Sequence, residues 1–332
     1  MTHPETADPD ASADDRRPAA RPLPETVPQP GLPARVRIVE VGARDGLQNE
    51  KTPIATADKL TFIDSLAAAG LTTVEATSFV NPRWVPQLAD AADLFPAIRR
   101  RPGVRYPVLV PNERGLDNAL AADVDEISVF ASATETFAQR NLASSLERQF
   151  EMFAPVVRRA REAGLPVRGY LSMCFGDPWE GRVPRTQVVE AAQRLVELGC
   201  GELSLGDTIG VATPGQVHAL LDDLIAAGIG VDVLAVHFHD TYGQALANTV
   251  AALQLGVSTV DSSAGGLGGC PYAGSATGNL ATEDLVWMLD GLGIEHGVDL
   301  DALVRTSSWM AGLLGRESPS AVVRALGSAA PA

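Results

Sequence analysis

Two histidines, His237 and His239, are separated by one residue at the end of an apolar run and are followed by Asp240. The run at residues 233–236 is typical of a buried β-strand, and alternate residues of a strand point to the same side. Both imidazoles would then enter one pocket at the carboxyl end of that strand, which suggests a metal site. The spacing alone leaves a second interpretation open, in which one histidine packs in the core and the other faces a loop.

Further polar residues follow other short apolar runs, at positions where neighbouring strands would end. They are Arg44, Asp45, Glu75, Ser78, Asp207, Thr208 and, beyond the last run, Cys270 and Asn279. Asp45 and Asn279 would add two oxygen ligands to the two imidazoles and leave open positions on a six-coordinate cation such as Mg²⁺ or Mn²⁺. Alternatively, Asp45 only pairs with Arg44, and Asn279 only caps the helix that follows it.

The loop at residues 265–272 carries Cys270 among four glycines and before a proline. A free cysteine is usually a small buried apolar residue, but these neighbours make core packing a poor explanation. Because the glycines match neither a phosphate loop nor a dinucleotide turn, we interpret the loop as a lid. Two histidines and a carboxylate also form the facial triad of non-haem iron oxygenases. The thiol argues against that class, since it suits proton transfer.

Glu75 lies in the predicted strand 73–79 and Asp207 directly follows the predicted strand 202–206, at positions where an inward-facing charge is costly unless it is paired or hydrogen-bonded. In one interpretation they orient Arg44 or a metal-bound water. In the other they form ion pairs that only stabilise the mouth of the site.

Eight β-like runs alternate with helix-like stretches from Arg35 onward, as expected of parallel strands joined by crossover helices. The predicted strands span residues 36–41, 73–79, 106–110, 126–131, 167–173, 202–206, 233–239 and 259–263. Helix-like stretches include residues 57–69, 146–163, 186–198 and 214–227. Eight β/α units predict a TIM (β/α)8 barrel, with catalytic groups at the carboxyl ends of its strands. A doubly wound open sheet would normally have fewer strands and a glycine-rich phosphate turn, a fingerprint that this chain lacks after its first strand.

The chain has 332 residues, 45% of them hydrophobic, and a formal net charge of −15. This acidic balance argues against partners such as nucleic acid or an anionic membrane, and it favours a small-molecule substrate. No stretch is long and apolar enough to cross a bilayer. Three cysteines without paired spacing favour a reducing cytoplasm. The two lysines, Lys51 in a polar loop and Lys59 in a predicted surface helix, make imine chemistry a poor expectation.

Residues 1–34 are rich in Pro, Ala, Asp and Arg and lack apolar periodicity, so we predict a disordered N-terminal tail. The tail has neither the apolar core of a secretory signal nor the composition of an organellar transit peptide. The predicted catalytic domain spans residues 35–325.

Four stretches resemble the 3-hydroxy-3-methylglutaryl-CoA lyase family, which are metal-dependent TIM barrels related to isopropylmalate and homocitrate synthases. They are residues 42–50 (GARDGLQNE), residues 78–87 (SFVNPRWVPQ), residues 206–210 (GDTIG) and the Cys270 loop. The similarity covers about residues 35–303, and four motifs in order are more specific than one.

The resemblance implies an acyl-CoA substrate and a divalent cation (Mg²⁺ or Mn²⁺). We also expect a homo-oligomer. The implied metal ligands are Asp45, His237, His239 and Asn279. The implied catalytic residues are Arg44, Glu75, Asp207 and Cys270. The implied substrate contacts are Arg44, Gln48 and Ser78. Arg44 would stabilise the enolate oxygen on the thioester, and Cys270 would move the proton. In this family a tertiary hydroxyl is deprotonated, the bond between the second and third carbons breaks, and acetoacetate and acetyl-CoA leave, as in leucine breakdown.

Two departures from the family pattern bear on the substrate. Ala43 stands where proline is common, and residues 175–181 (FGDPWEG) replace a loop that often reads GCPYEG. A related branched 3-hydroxyacyl-CoA is therefore an alternative substrate. The synthases usually carry a Glu-Arg pair where this chain has GCPY at residues 269–272, so the thiol favours cleavage over condensation. An acetyl-CoA-dependent synthase and a non-catalytic metal-binding barrel are the remaining alternatives.

Overall fold

The computed structural model of the chain describes residues 24–269 and 278–327, and its centre is a ring of eight parallel strands. The strands are β1 (Arg37–Glu40), β2 (Thr77–Ser78), β3 (Val108–Leu109), β4 (Ile127–Ser132), β5 (Val167–Ser172), β6 (Glu202–Asp207), β7 (Leu234–Phe238) and β8 (Thr259–Ser262). From β2 onward each strand pairs with the next along the chain, and β8 pairs with β1. The ring closes where the Glu40 amide donates to the Thr73 carbonyl and the Glu75 amide donates to the Glu40 carbonyl. The predicted TIM barrel is confirmed.

All eight predicted strands are present, but β2 and β3 are much shorter than the sequence pattern suggests. The ladder between β2 and β3 is interrupted at Pro107, because proline has no amide proton to donate. Beyond that point Thr73 and Arg105 still pair as an isolated bridge. The apolar pattern therefore marks the whole extended segment, and the proline limits its regular pairing.

Helices lie on the outside of the ring; in the described chain, eight of them lie between successive strands and three follow β8. They are α1 (Thr56–Ala68), α2 (Ala91–Ala97), α3 (Glu113–Ala121), α4 (Glu135–Leu142), α5 (Leu146–Glu162), α6 (Arg185–Leu198), α7 (Pro214–Ala226), α8 (Ala245–Gln254), α9 (Thr282–Leu292), α10 (Leu300–Leu314) and α11 (Ala321–Gly327). The four predicted helices are confirmed to within one residue at each end. A capping box of Thr213 and Gln216 starts α7. Gly199 ends α6 in the left-handed backbone conformation, with a φ of 107°, which glycine adopts more easily than other residues.

Short elements complete the described chain. An antiparallel hairpin pairs Gly176–Asp177 with Gly181–Arg182. Single turns of 3₁₀-helix occur at Pro86–Leu88, Val231–Val233 and Ala264–Gly266, and a π-helical turn spans Gly42–Gly46. No helix in residues 24–269 and 278–327 is long and apolar enough to cross a membrane.

Lys59 corrects one prediction, because its side chain is not on the surface of α1. It is only 4% exposed, and its amine donates to Asp90 Oδ1 at 2.8 Å and to the Gln87 carbonyl. The turn at Pro86–Leu88 thus covers this side of the helix. The buried ammonium is stabilised by an ion pair, which is the arrangement that a buried charge requires.

The predicted tail lies mostly outside the described residues, which include only residues 24–34 of it. Within this part the Val27 amide donates to the Gly291 carbonyl at 2.9 Å, and Thr26 Oγ1 donates to the Asp290 carbonyl at 3.1 Å. This segment therefore lies against the end of α9. The domain boundary at residue 35 stays a prediction.

Candidate active site

A cavity of about 580 Å³ opens at the carboxyl ends of the barrel strands. The predicted site residues that line it are Arg44, Asp45, Gln48, Ser78, His237 and His239. Glu75 and Asn279 contact this lining through hydrogen bonds to Arg44 and Asp45. Sequence positions separated by up to 234 residues thus meet at one end of the barrel, as the TIM fold predicts.

The π-helical turn Gly42–Gly46 directly follows β1 and carries Arg44 and Asp45 into the cavity. Such wide turns recur at functional sites. Gly46 is required here because a Cβ at this position would lie 2.8 Å from Leu267 Cβ. The turn can therefore pack closely against the segment that follows β8.

Arg44 is held rigidly in the cavity wall. Its Nε donates to Glu75 Oε2 at 2.6 Å, and its Nη1 donates to Asp45 Oδ1 at 2.7 Å. Its guanidinium lies 5.3 Å from the ring centre of Tyr170. Burial alone would lower the pKa of Arg44, but Glu75 and Asp45 hold that pKa above its ordinary value. Its Nη2 has no hydrogen-bond partner among the described residues and is free to meet an anionic oxygen.

Asp45, His237 and His239 form a cluster that could hold a metal ion, since their ligand atoms lie within 4.8 Å of one another. Burial would raise the pKa of Asp45, but Arg44 and the two imidazoles lower it to about 2. Burial and the neighbouring His237 lower the pKa of His239 to about 4. At neutral pH the carboxylate is therefore ionised and the His239 imidazole is neutral, which are the forms that bind a cation.

Two buried polar atoms beside this cluster support a cation site. His239 Nδ1 and Asn279 Oδ1 have no hydrogen-bond partner within the described ranges. Buried atoms of this kind are costly unless something satisfies them. The Asn279 amide nitrogen donates to Asp45 Oδ2 at 2.8 Å and to the Leu267 carbonyl at 3.1 Å, so its oxygen is left free. Two nitrogen and two oxygen donors fit a six-coordinate divalent cation.

The sequence left two interpretations for each of the predicted metal ligands, and the structure gives each of them defined contacts. His237 and His239 share one pocket, with ring centres 5.4 Å apart, so neither faces a separate loop. Asp45 both pairs with Arg44 and joins the cluster. Asn279 does not cap α9, whose N-cap is Ala281; instead, it forms a bridge with His239 at the end of β7.

Glu75 and Asp207 have different roles in the structure. Glu75 orients Arg44, and the Arg44–Glu75 contact is almost completely buried. Asp207 forms no ion pair with an arginine among the described residues; its Oδ1 accepts from the Val211 amide at 3.0 Å and its Oδ2 from the Ala212 amide at 2.9 Å. Burial raises the pKa of Asp207 to about 6, and these amides oppose the rise. Asp207 therefore fixes the loop after β6, and its catalytic role stays a prediction.

Cys270 lies outside the described residues, and its role in proton transfer stays a prediction. The described end of its loop approaches the ligand cluster closely. Gly269 lines the cavity, and a Cβ on Gly268, where φ is 103°, would lie 2.8 Å from Asn279 Nδ2. Glycine is thus required where the loop passes the metal-binding residues.

The loop that departs from the family pattern contacts the cavity indirectly. The Asp177 carboxylate is buried, and it accepts hydrogen bonds from Thr134 Oγ1 and from the amides of Trp179 and Glu180. The Trp179 ring lies 4.5 Å from the guanidinium of Arg140, which lines the cavity. Asp177 therefore fixes the conformation of the loop through these hydrogen bonds. Trp179 contacts the cavity wall indirectly, through its stacking on Arg140.

Sequence reasoning missed the buried network around Asp261. This residue lies on β8 and accepts a hydrogen bond from His237 Nδ1 at 3.2 Å. Burial would raise the pKa of Asp261, but Arg168 and His237 hold it well below its usual range. The available signal was an acidic residue in the predicted strand 259–263, two positions from its end, where its side chain shares a face with Thr259 and Ser263.

Comparison with known proteins places the chain in a family. It matches the family model described as HMGL-like over residues 35–310. It is 53% identical over 294 residues to the mitochondrial hydroxymethylglutaryl-CoA lyase of Rattus norvegicus, which covers 89% of this chain and 90% of that protein. The solved hydroxymethylglutaryl-CoA lyase from Pseudomonas aeruginosa gives a TM-score of 0.88 at 49% identity, covering 90% of this chain and 100% of that chain.

A second solved structure is an HMG-CoA lyase from Acinetobacter baumannii in complex with coenzyme A and 3-methylmalate. It gives a TM-score of 0.84 at 35% identity and covers 90% of this chain and 95% of that chain. The resemblance inferred from the four motifs is confirmed. The three proteins compared above are hydroxymethylglutaryl-CoA lyases, and the chain belongs to the HMGL-like family.

Proposed function

We propose that the chain cleaves 3-hydroxy-3-methylglutaryl-CoA into acetoacetate and acetyl-CoA. The observation that carries this proposal is the position of Arg44, fixed by Glu75 and Asp45 beside the Asp45, His237 and His239 cluster. A guanidinium and a cation site in one cavity can each act at a different end of the bond that breaks. The names of the relatives support the same reaction.

The proposed cofactor is one Mg²⁺ or Mn²⁺ ion, with Asp45, His237, His239 and Asn279 as its ligands. A divalent cation at these ligands would lower the pKa of a substrate hydroxyl and favour its deprotonation. Asn279 also holds Asp45 in place through its amide nitrogen. The neutral His239 and the ionised Asp45 are ready to bind at neutral pH.

Arg44 is proposed to stabilise the charge that develops during cleavage. When the tertiary hydroxyl loses its proton, the bond between the second and third carbons breaks and its electron pair moves onto the thioester. Negative charge then appears on the thioester oxygen, within reach of the free Nη2 of Arg44. Because Glu75 and Tyr170 already fix this guanidinium, it needs no reorganisation as the charge forms.

The second carbon must take up one proton to give acetyl-CoA, which balances the proton lost from the hydroxyl. We propose Cys270 as the group that moves this proton, as the family resemblance implies. The described part of this loop, residues 265–269, reaches the cavity wall at Gly269.

The proposed substrate is 3-hydroxy-3-methylglutaryl-CoA. Its proposed contacts are Arg44, Gln48 and Ser78, which lie on the cavity wall. A related branched 3-hydroxyacyl-CoA is the second candidate, and the stacking of Trp179 on Arg140 favours testing it. A longer or more polar acyl chain that reaches Arg140 would depend on this pair. Loss of turnover of that substrate in a Trp179→Leu variant, with 3-hydroxy-3-methylglutaryl-CoA cleavage unchanged, would favour the second candidate.

The test of the proposed reaction is product analysis with purified full-length chain and Mg²⁺ or Mn²⁺. Equal amounts of acetoacetate and acetyl-CoA should appear, and a chelator should abolish them. A condensing synthase would instead release free thiol from acetyl-CoA and a 2-oxoacid. A non-catalytic barrel would release neither product, and its behaviour would not change in a Cys270→Ser variant.

We further propose that the enzyme acts in the cytoplasm, in leucine breakdown, and as a homo-oligomer without a nucleic-acid or membrane partner. The net charge of −15 argues against a nucleic-acid partner and against an anionic membrane. Light scattering coupled to size exclusion would give the mass of the assembly to compare with the 34.8 kDa chain. Cell fractionation would test the compartment, since the rat relative is named as mitochondrial.

A further inference from the structure

A buried carboxylate on β8, Asp261, lies next to the metal-ligand candidate His237. The two residues are paired neighbours across the β7–β8 ladder, and Asp261 Oδ2 lies 3.2 Å from His237 Nδ1. The Asp261 side chain is fully buried. The strand register therefore fixes this contact, and no flexible loop is involved.

Asp261 is anchored by two further donors. Arg168, which is only 1% exposed, donates from Nη2 to Oδ1 at 2.6 Å and from Nη1 to Oδ2 at 3.1 Å. Ser204 Oγ donates to Oδ2 at 2.7 Å. A bidentate arginine pair of this kind keeps the carboxylate ionised and fixes its plane. Asp261 can therefore act only as an acceptor toward His237.

This contact determines which nitrogen of His237 carries the proton. An ionised carboxylate accepts but cannot donate, so Nδ1 must be the protonated nitrogen. A neutral imidazole has a single N–H group, and its Nε2 is then left with a free lone pair. The His237 side chain lines the cavity beside Asp45 and His239, where such a lone pair would serve as a ligand.

We propose that Asp261, anchored by Arg168, is a positioning residue that fixes the ring and the tautomer of His237, so that Nε2 binds the divalent cation. Carboxylates that accept from a ligating histidine are a general means of orienting metal ligands. The inference rests on the metal site of the proposed function and does not depend on which acyl-CoA is cleaved.

A simpler role for Asp261 would be to neutralise the buried charge of Arg168. Arg168 already has a second carboxylate partner, because its Nε donates to Glu202 Oε1 at 2.7 Å. If Asp261 served only to neutralise Arg168, either tautomer of His237 would be compatible with that role. The protonation of the His237 ring therefore separates the two roles.

The first readout is the NMR spectrum of the metal-free full chain labelled with ¹⁵N-histidine. Long-range ¹⁵N–¹H correlations distinguish protonated from unprotonated ring nitrogens, and a His237→Gln variant assigns the His237 signals among the five histidines. We expect protonated Nδ1 and unprotonated Nε2 in the wild type. A wild-type ring protonated at Nε2 would overturn the proposal, whether or not any Asp261 variant folds.

The second readout is the affinity for Mn²⁺ alone, measured by calorimetry. Asp261→Asn should weaken binding by about 10- to 100-fold, as loss of a supporting carboxylate does at other metal sites, and should give His237 a mixture of tautomers. Asp290→Asn is the matched control, since Asp290 Oδ1 lies 2.9 Å from His296 Nε2 outside the cavity lining. It should leave Mn²⁺ affinity unchanged.

Unchanged affinity and an unchanged His237 tautomer in a folded Asp261→Asn variant would overturn the positioning role while leaving the metal site intact. A wild-type chain that fails to bind Mn²⁺ would overturn the metal site itself and the positioning role with it. Mn²⁺ binding without any cleavage of 3-hydroxy-3-methylglutaryl-CoA would contradict only the proposed reaction.

Discussion

Asn279 Nδ2 donates a 2.8 Å hydrogen bond to Asp45 Oδ2 and so joins the segment after β8 to the turn after β1. The same bond leaves Asn279 Oδ1 without a partner among the residues described. One side chain thus orients a second ligand while its own buried oxygen stays available to a cation. The ligand cluster is therefore largely preorganised across the seam where the barrel closes.

Metal binding should stabilise the folded chain. At free Mn²⁺ one hundred times its dissociation constant, the free energy of unfolding should rise by about 2.7 kcal/mol over the chelated protein. Asp45→Asn should lose most of this gain, and Asp222→Asn, a substitution on the exposed side of α7, should keep it. Thermal unfolding with Mn²⁺ or with a chelator measures the difference. Equal stabilisation of wild type and Asp45→Asn would place the cation elsewhere.

Arg44→Gln should reduce kcat by about 100- to 1000-fold, the loss seen when a preorganised donor to a developing oxyanion is removed. The KM should change less, since the interaction strengthens only as charge develops. Steady-state kinetics with 3-hydroxy-3-methylglutaryl-CoA provides the measurement. Arg158→Gln, on the exposed surface of α5 where Arg158 pairs with Glu162, is the control and should have wild-type kinetics. A kcat within threefold of wild type would remove Arg44 from the reaction.

Glu75→Ala should lower the free energy of unfolding by roughly 3–5 kcal/mol, because it leaves the buried Arg44 without its main counterion. The effect should fall toward the lower end, since Asp45 still accepts from Nη1. Urea unfolding measures the loss. Glu75→Gln keeps an acceptor for Nε and should lose less stability than the alanine variant. An alanine variant as stable as wild type would mean that Glu75 does not compensate Arg44.

The stability of the barrel should fall as pH rises through the range in which Glu283 ionises. Burial raises the pKa of Glu283 to about 8 in the folded chain, against opposing hydrogen bonds from Ser307 and Gly265. A carboxyl group whose pKa is raised in the folded chain contributes its full stabilisation below its unfolded pKa of 4.5. This contribution is lost progressively as the pH rises toward 8. The glutamine in Glu283→Gln cannot ionise. The melting temperature of this variant, relative to wild type, should therefore increase as the pH rises from 5 to 8.

Thermal melts of wild type and Glu283→Gln across this pH range measure the difference. Glu317→Gln, at an exposed position, should give a constant offset from wild type. A Glu283→Gln offset that is also constant with pH would show that the Glu283 carboxylate does not titrate in this window.

The sequence was sufficient to predict the barrel and six of the residues that line the cavity. Alternation of apolar runs with helix-like stretches predicted all eight strands, and the rule that barrel sites lie at strand ends brought His237, Asp45 and Asn279 together. Both steps need only local patterns and one topological rule. The resemblance of four motifs to a known family added their chemical roles.

Contacts between distant buried side chains were not predicted. Arg168 and Asp261 are 93 residues apart, and neither strand pattern indicates that their side chains meet inside the ring. Lys59 appeared to be a surface residue because its cover, the turn at Pro86–Leu88, belongs to a different β/α unit. Pairing of this kind depends on strand register and loop packing, which local periodicity does not encode.

The most direct test of the central claim is a titration of metal-free enzyme with Mn²⁺ while acetoacetate release from 3-hydroxy-3-methylglutaryl-CoA is followed. We expect activity to rise in proportion to bound Mn²⁺ and to saturate at one ion per chain, with acetyl-CoA formed in equal amount. A His239→Ala variant should show neither tight binding nor turnover. Activity that is independent of bound metal, or full occupancy without acetoacetate, would contradict a metal-dependent carbon-carbon lyase in this cavity.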